Sequence, residues 1–289
     1  MTSFRTVSVT PRPAAHAASA VPPRRPASGG VLVAVTGASG GLGASVVTVA
    51  LAVRAVSAGL SACAVDLDPF GGGLDVVLGL EQTAGTRWGD LAALDGEADG
   101  EAVLCTLPRA DGVRVLSHDH DGEGAPPPVV HAVVSALVAA CDLVVLDLPR
   151  PGRLPPGAPP LDHHLVIAGT TLAQVAALSA VLTHLARPDP ADHESAEADG
   201  ESSGVTRSGA AEPVVLLRAG AASGADPAQV APALQHQLGV QVRGVVPDDR
   251  SVPADLAHGI PPGGRSGPLV TVLDLLLVEV LQGLRTGAA

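Results

Sequence analysis

The sequence predicts an α/β fold in which helices cover both faces of a doubly wound, mainly parallel β-sheet. Short, continuous apolar runs alternate with apolar stretches of helical length along most of the 289 residues. A glycine-rich turn joins the first run to the stretch that follows it, and acidic residues stand at the ends of two later runs. The chain is long enough to form a single large domain of this type.

The apolar runs are assigned in chain order as strands and helices. Runs without polar interruption that end at turn residues are typical of parallel strands buried on both faces. The predicted strands cover residues 31–36, 61–67, 112–117, 142–150, 163–169, 213–218 and 240–247. The predicted helices cover residues 43–58, 88–94, 127–141, 171–186, 227–238 and 268–285.

Two segments differ in composition from the predicted domain of residues 30–286. Residues 1–29 are rich in proline and alanine, and we expect a disordered tail there, with neither a signal peptide nor a receiver-like domain. Residues 187–212 are rich in Asp, Glu, Ser and Gly, which predicts a flexible acidic surface insertion. No apolar run is long and clean enough for a predicted transmembrane segment.

Composition limits the chemistry open to the chain. A net charge of −12 and an aromatic content of 1% argue against a nucleic-acid partner, because phosphate attraction and base stacking are both weak. The chain has no lysine, asparagine or tyrosine, so all 17 basic residues are arginines. Cys63, Cys105 and Cys141 form no C-x-x-C pair, and we expect reduced thiols packed in apolar surroundings in a cytoplasmic setting.

The turn within VAVTGASGGLGASVV, residues 33–47, is the main functional signal. A strand, a glycine turn and a helix N-terminus together place main-chain N–H groups where a phosphate can bind. The predicted nucleotide-binding residues are Gly37, Ser39, Gly40, Gly41, Gly43, Ala44 and Ser45. The turn fits two patterns, the T-G-x-x-x-G-x-G turn of short-chain dehydrogenases and the K-G-G-x-G-K-[ST] loop of MinD/ParA ATPases.

The dehydrogenase pattern matches Thr36, Gly37, Gly41 and Gly43, and Asp66 ends the second strand where a ribose-binding acid could lie. Members of that family use a Y-x-x-x-K pair for proton transfer, and the chain contains neither residue type. An atypical, short-chain-dehydrogenase-like dinucleotide-binding protein therefore stays an alternative.

The ATPase pattern accounts for more of the chain. VDLDPFGGGLDVVLG at residues 65–79, DLVVLDLPR at 142–150 and PDDRSVPADLAHGIPP at 247–262 follow the turn in order. With these pieces, residues 30–285 resemble the MinD/ParA superfamily. They are most similar to its CpaE/TadZ-like branch, which includes the actinobacterial CpaE-like septum-site-determining proteins.

The resemblance implies a role for individual residues. Asp66 matches the carboxylate that orients the attacking water and would be catalytic, while Ser45, Asp68 and Asp147 match residues that hold Mg²⁺. The implied cofactors are therefore ATP and Mg²⁺. His118, His120, His163 and His164 show no metal-ligand spacing and are expected to be solvated.

The turn lacks both lysines of the ATPase loop, since Ser39 and Ala44 occupy their positions. A charged hydrogen bond contributes about 1.5–3 kcal/mol, so losing the phosphate lysine should weaken ATP binding by about 10- to 100-fold. Loss of the cations should slow phosphoryl transfer further, which predicts weak or absent ATP hydrolysis. An active ATPase that uses Arg150 and Arg218 as substitutes is the alternative.

The resemblance also implies a biological role. It indicates a spatial organiser in septum-site determination or in Flp/Tad pilus and secretion assembly, with protein partners from those machineries. Such a protein would be a homodimer and would be recruited from the cytoplasm to the pole or septum. The last helix carries acids rather than the basic residues of a membrane anchor, so we expect a core helix with one buried stripe. The stripe consists of Leu269, Leu273, Leu276, Leu277, Val280 and Leu284.

Overall fold

The computed structural model describes residues 29–119, 124–187, 211–220 and 224–286. Within these ranges, eight strands form one sheet and nine helices surround it. The strands are β1 (Val31–Gly37), β2 (Ala62–Asp66), β3 (Arg109–Ala110), β4 (Val113–Leu116), β5 (Leu143–Leu148), β6 (His163–Ala168), β7 (Pro213–Arg218) and β8 (Gln241–Val246). The helices are α1 (Ala44–Ser57), α2 (Leu74–Leu78), α3 (Trp88–Leu91), α4 (Gly100–Thr106), α5 (Pro127–Ala140), α6 (Leu172–Leu185), α7 (Pro227–Leu238), α8 (Ser251–Ala257) and α9 (Pro268–Thr286).

Strand order determines where the site forms. The sheet runs β3-β4-β2-β5-β1-β6-β7-β8, and every neighbouring pair is parallel except β3 and β4. The predicted α/β fold with a mainly parallel sheet is confirmed. However, β5 lies between β1 and β2, whereas the classic dinucleotide-binding order places the first two strands side by side. The topology therefore does not match the dehydrogenase-like alternative.

The strands form because their apolar side chains are buried on both faces of the sheet. Val31, Val33 and Val35 of β1 join one core cluster, while Leu32 and Ala34 face the opposite side. Helices α1 and α9 cover the first face. On the second face, α4 and α5 cover the half around β2 and β5, and α6 and α7 cover the half around β6 and β7. This coverage of both faces explains the continuous apolar runs.

Four short elements, α2, α4, β3 and α8, are absent from the sequence-based assignment. Helix α4 begins where the Asp99 side chain accepts hydrogen bonds from the amides of Glu101 and Ala102. It packs so closely on α5 that a Cβ atom at Gly100 would lie 2.1 Å from the Ala136 carbonyl oxygen. The contact with α5 therefore requires glycine at this position.

Two expectations about side-chain environment are partly wrong. Cys63 and Cys141 are buried as expected, whereas Cys105 is exposed because it faces outward on α4. His118 and His164, expected to be solvated, are buried. His164 lies on β6 beneath covering helices, so it faces the core rather than water. His120 lies outside the described residues, as do residues 1–28 of the predicted tail and residues 188–210 of the predicted insertion.

The last helix, α9, is a core helix, as predicted. Its buried positions include Leu269, Leu273, Leu276, Leu277 and Val280, and the side chain of Leu284 is outside the described part of the chain. None of the helices within the described ranges combines the length and apolar character needed to cross a membrane.

Candidate functional site

The glycine turn forms a tight, open loop between β1 and α1. Gly41 and Gly43 have φ angles of 75° and 85°, in the left-handed region that favours glycine. Gly40 and Gly41 are exposed, and a Cβ atom at Gly40 would meet no atom of the described chain within 4 Å. Helix α1 begins directly after Gly43, so its first N–H groups lie at this loop.

The turn fits an anionic group on two counts. In the described part of the chain, no side chain caps the N-terminus of α1, and its first turn contains no acidic residue. The buried Ser39 hydroxyl also has no hydrogen-bond partner among the described residues. A helix N-terminus of this kind attracts negative charge, and a hydroxyl donor beside it adds to that attraction. The main-chain atoms of the turn are therefore suited to phosphate.

The strand order brings the predicted metal-binding residues to the same place. In the sheet register, Asp147 on β5 is adjacent to Asp66 on β2 and to Val35 on β1, immediately before the glycine turn. The Ser45 hydroxyl, in the first turn of α1, lies close enough to the Asp147 carboxylate to favour its ionised form. Asp68 lies close enough for its charge to affect both Asp66 and Asp147. The structure thus brings together the four side chains that the sequence singled out.

Burial strongly perturbs two of these carboxylates. It raises the pKa of Asp66 to about 7, although the Asp68 and Leu74 amides that donate to this carboxylate oppose the shift. It also raises the pKa of Asp147 to about 6, against the opposing effect of the nearby Ser45 hydroxyl. Like charges nearby add to both shifts. Because a nearby positive charge favours the ionised form of a carboxyl group, a cation bound here would lower both pKa values.

A polar cavity of about 100 Å³ opens onto Asp66 and Asp68. Carboxylate and hydroxyl oxygens are ligands that Mg²⁺ prefers, usually together with water and phosphate oxygens. No cluster of three or more His, Cys, Asp or Glu side chains within the described ranges could hold a metal ion. A Mg²⁺ ion here would therefore depend on phosphate and water as further ligands.

Sequence reasoning missed the residues that support Asp66. Trp88 Nε1 donates to the Asp66 carbonyl over 2.6 Å, and Arg87 forms a buried ion pair with Asp75. Asp75 lies within the segment VDLDPFGGGLDVVLG at residues 65–79, where the sequence analysis assigned it no role of its own. The signal that could have found this cluster is Arg87 itself, the single basic residue between Arg54 and Arg109.

One of the two proposed arginine substitutes, Arg218, forms its hydrogen bonds away from the turn. Arg218 donates to the Pro247 carbonyl and to Asp248 Oδ1, over 2.5 and 2.9 Å, which ties it to the end of β8. Arg150 is exposed in the loop after β5. Ser39 and Ala44 supply no positive charge, so the cradle consists of amides and a hydroxyl.

The strand order, the glycine turn and the carboxylates beside it define the fold class. The chain has the α/β fold of the MinD/ParA P-loop ATPases. MinD from Pyrococcus furiosus superposes with a TM-score of 0.63 and 22% identity, covering 88% of this chain and 99% of that one. MinD from Pyrococcus horikoshii, solved with Mg-ADP, gives 0.62 and 20%, covering 87% and 95%. A ParA-family ATPase from Chlorobium tepidum gives 0.61 and 13%, covering 86% and 98%.

Similarity at the level of sequence is more limited. The chain is 45% identical over 121 residues to an uncharacterized protein from two strains of Mycobacterium tuberculosis. The match covers 42% of this chain and spans about a third, 33%, of the length of those curated relatives. No protein-family model matches the sequence.

Proposed function

We propose that this chain is a degenerate nucleotide-binding protein of the MinD/ParA type that binds ATP and Mg²⁺ weakly and hydrolyses ATP slowly or not at all. The observation that carries the proposal is the juxtaposition of an uncapped helix N-terminus with Ser45, Asp66 and Asp147, where neither lysine of the family loop is present. The main-chain N–H groups of the turn are available to phosphate, but the positive charge of the two lysines in the family loop is missing.

The residues of the site divide into two groups. The amides of Gly40, Gly41 and Gly43 would hold the phosphates, supported by the Ser39 hydroxyl. Ser45, Asp68 and Asp147 would hold the Mg²⁺ ion, and Asp66 would orient a water molecule. Bound Mg²⁺ would neutralise phosphate charge. This chain's own contribution is to place main-chain N–H donors and carboxylates close together at one edge of the sheet.

Restoring the missing charge provides the sharpest test. We expect Ala44→Lys to raise ATP–Mg²⁺ affinity by about 10- to 100-fold, because a charged hydrogen bond contributes about 1.5–3 kcal/mol. The matched control is Ala44→Gln, which adds a long side chain without charge and should leave the affinity nearly unchanged. Isothermal calorimetry with ATP–Mg²⁺ measures all three proteins, and NADP serves as the competing ligand. Binding of NADP but not ATP, or no ATP binding even by Ala44→Lys, would refute the proposal.

Turnover distinguishes this proposal from a working ATPase. We expect phosphate release by the wild-type protein to stay near the rate of a blank reaction. Ordinary ATPase rates that disappear in Asp66→Ala would show that hydrolysis proceeds without the two lysines. Arg150 and Arg218 would then be the next residues to replace.

The cellular role we propose is that of a spatial organiser in septum-site determination or in Flp/Tad pilus and secretion assembly, acting as a homodimer. MinD of Aquifex aeolicus, which shares the fold at 14% identity and a TM-score of 0.58, has been solved in a complex with MinC. Two exposed apolar side chains, Phe70 after β2 and Leu172 after β6, lie at the sheet edge that carries the glycine turn and offer contacts to a partner. A fluorescent fusion should concentrate at poles or septa. Uniform fluorescence in growing cells would count against this role.

A further inference from the structure

A buried ion pair links helix α2 to the start of α3. Asp75, in α2, is 2% exposed, and Arg87, which precedes α3, is 8% exposed. Arg87 Nε donates to Asp75 Oδ2 over 3.2 Å. The other guanidinium N–H groups donate to carbonyls of the connecting loop, those of Leu80, Thr83 and Gly85. Arg87 therefore organises the whole segment between the two helices.

This segment holds Asp66 at two points. Leu74, the first residue of α2, donates its amide to Asp66 Oδ2 over 3.0 Å. Trp88, next to Arg87 in the chain, donates its indole N–H to the Asp66 carbonyl. Ser117 joins the two contacts, since its hydroxyl accepts from the Asp75 amide and its carbonyl accepts from the Trp88 amide. Both the carboxylate and the main chain of Asp66 thus depend on residues that the ion pair connects.

We propose that Arg87 is a positioning residue for Asp66: by pairing with Asp75, it fixes the first turn of α2 so that the Leu74 amide holds the Asp66 carboxylate beside Asp147. The proposal rests on the proposed function: Asp66 is not itself a proposed Mg²⁺ ligand, but it is adjacent to Asp147, which is, so the position of Asp66 affects the Mg²⁺-dependent part of ATP binding. Outer hydrogen-bond partners of metal-site residues typically account for about 10- to 100-fold in metal affinity. A pair that served stability alone would leave the metal dependence unchanged.

The variants must separate positioning from folding. Removing Arg87 alone would leave the Asp75 charge buried without its partner, which is strongly destabilising. The double variant Asp75→Leu/Arg87→Met replaces both charges with apolar side chains of comparable size, and such replacements are often tolerated. Arg87→Lys keeps the charge and loses the planar fork. Arg54→Met is the matched control, because Arg54 pairs with Asp274 over 2.7 Å at the end of α1 remote from the glycine turn.

Binding of ATP is measured by calorimetry in Mg²⁺ and again in EDTA. We expect the ratio of ATP affinity in Mg²⁺ to ATP affinity in EDTA to be about tenfold lower in the double variant than in wild type. The affinity of the double variant in EDTA should stay within about twofold of wild type. Arg87→Lys should restore part of the Mg²⁺ effect, and Arg54→Met should preserve it. An equal loss in Mg²⁺ and EDTA, or no loss at all, would overturn the positioning role.

Amide hydrogen exchange without nucleotide makes the test independent of the proposed function. In the double variant, we expect the Leu74 amide to lose protection relative to the Val65 amide in β2, and in Arg54→Met we expect no such change. Unchanged relative protection at Leu74 would overturn the inference even if ATP binds. If wild-type protein binds no ATP under either condition, the proposed function fails, and exchange at Leu74 alone decides whether Arg87 positions Asp66.

Discussion

Replacing Asp147 with asparagine is expected to stabilise the ligand-free protein at pH 8. Burial raises the pKa of this carboxyl from 3.8 to about 6, so keeping it ionised in the folded state has a free-energy cost. A difference of about two pKa units corresponds to about 3 kcal/mol. Asparagine removes the charge and keeps an oxygen that can accept from Ser45, but its amide adds a donor. We therefore expect a gain of about 2 kcal/mol in unfolding free energy.

The pH dependence has a definite sign. The folded Asp147 carboxyl has the higher pKa, so the unfolded chain binds fewer protons between pH 3.8 and about 6. Its contribution to stability is complete below pH 3.8 and is lost as the pH rises through 6. The advantage of Asp147→Asn should accordingly be full at pH 8, and at pH 4 the variant should be no more stable than wild type, because the ionisation cost it removes has fallen to about 0.5 kcal/mol while the cost of the added amide donor stays.

Urea unfolding followed by Trp88 fluorescence, at pH 8, 6 and 4, measures this difference. The control is Asp274→Asn, which breaks the partly exposed pair with Arg54 and should leave stability unchanged or lower it by up to about 1 kcal/mol. The reasoning fails if Asp147→Asn is no more stable than wild type at pH 8, or if it gains equally at pH 4. Asp147→Asn should also lose the Mg²⁺ dependence of ATP binding.

Three further predictions concern residues outside the carboxylate cluster. Burial lowers the pKa of His164 from 6.5 to about 4. The contribution of its neutral ring to the free energy of unfolding is therefore complete above pH 6.5 and is lost as the pH falls through 4. Wild type should lose about 2 kcal/mol more than His164→Asn between pH 7 and pH 5 in urea unfolding, since asparagine can still bond to Thr36 Oγ1. Phe70→Ala and Leu172→Ala, at side chains 89% and 92% exposed, should change stability by less than about 0.5 kcal/mol yet weaken ATP-dependent self-association in sedimentation. Cys105 should be the one thiol of three that reacts with a disulfide reagent in the folded protein, as peptide mapping would show.

Sequence patterns predicted the long elements because a strand that is buried on both faces of the sheet consists almost entirely of apolar residues. Every residue of β5 is buried, and its six residues contain a single polar side chain. Helix α4 has only seven residues, too few for apolar periodicity to emerge, and its position depends on the contact with α5. Helix α8 contains Pro253, which sequence reasoning takes as a helix breaker, although the first turn tolerates it.

Some features of the candidate site were likewise predictable from the sequence, and others were not. The placement of the glycine turn, Ser45 and Asp147 at one edge of the sheet was predictable, because each directly follows or ends a strand pattern that the sequence shows. The pairing of Asp75 with Arg87 was not, because it joins residues 12 apart through a folded loop. The burial of His164 likewise depends on the helices packed over β6, which a single strand pattern does not encode.

The insertion of β5 between β1 and β2 has a consequence for biosynthesis. β1 begins at Val31 and β5 at Leu143, so the ribosome adds about a hundred residues between making one wall of the pocket and the other. During that interval, the nascent chain has its glycine turn but neither Asp147 nor the strand that joins β1 to β2. Under the proposed function, nucleotide would therefore stabilise only chains whose translation has passed β5, and shorter products would gain little from it.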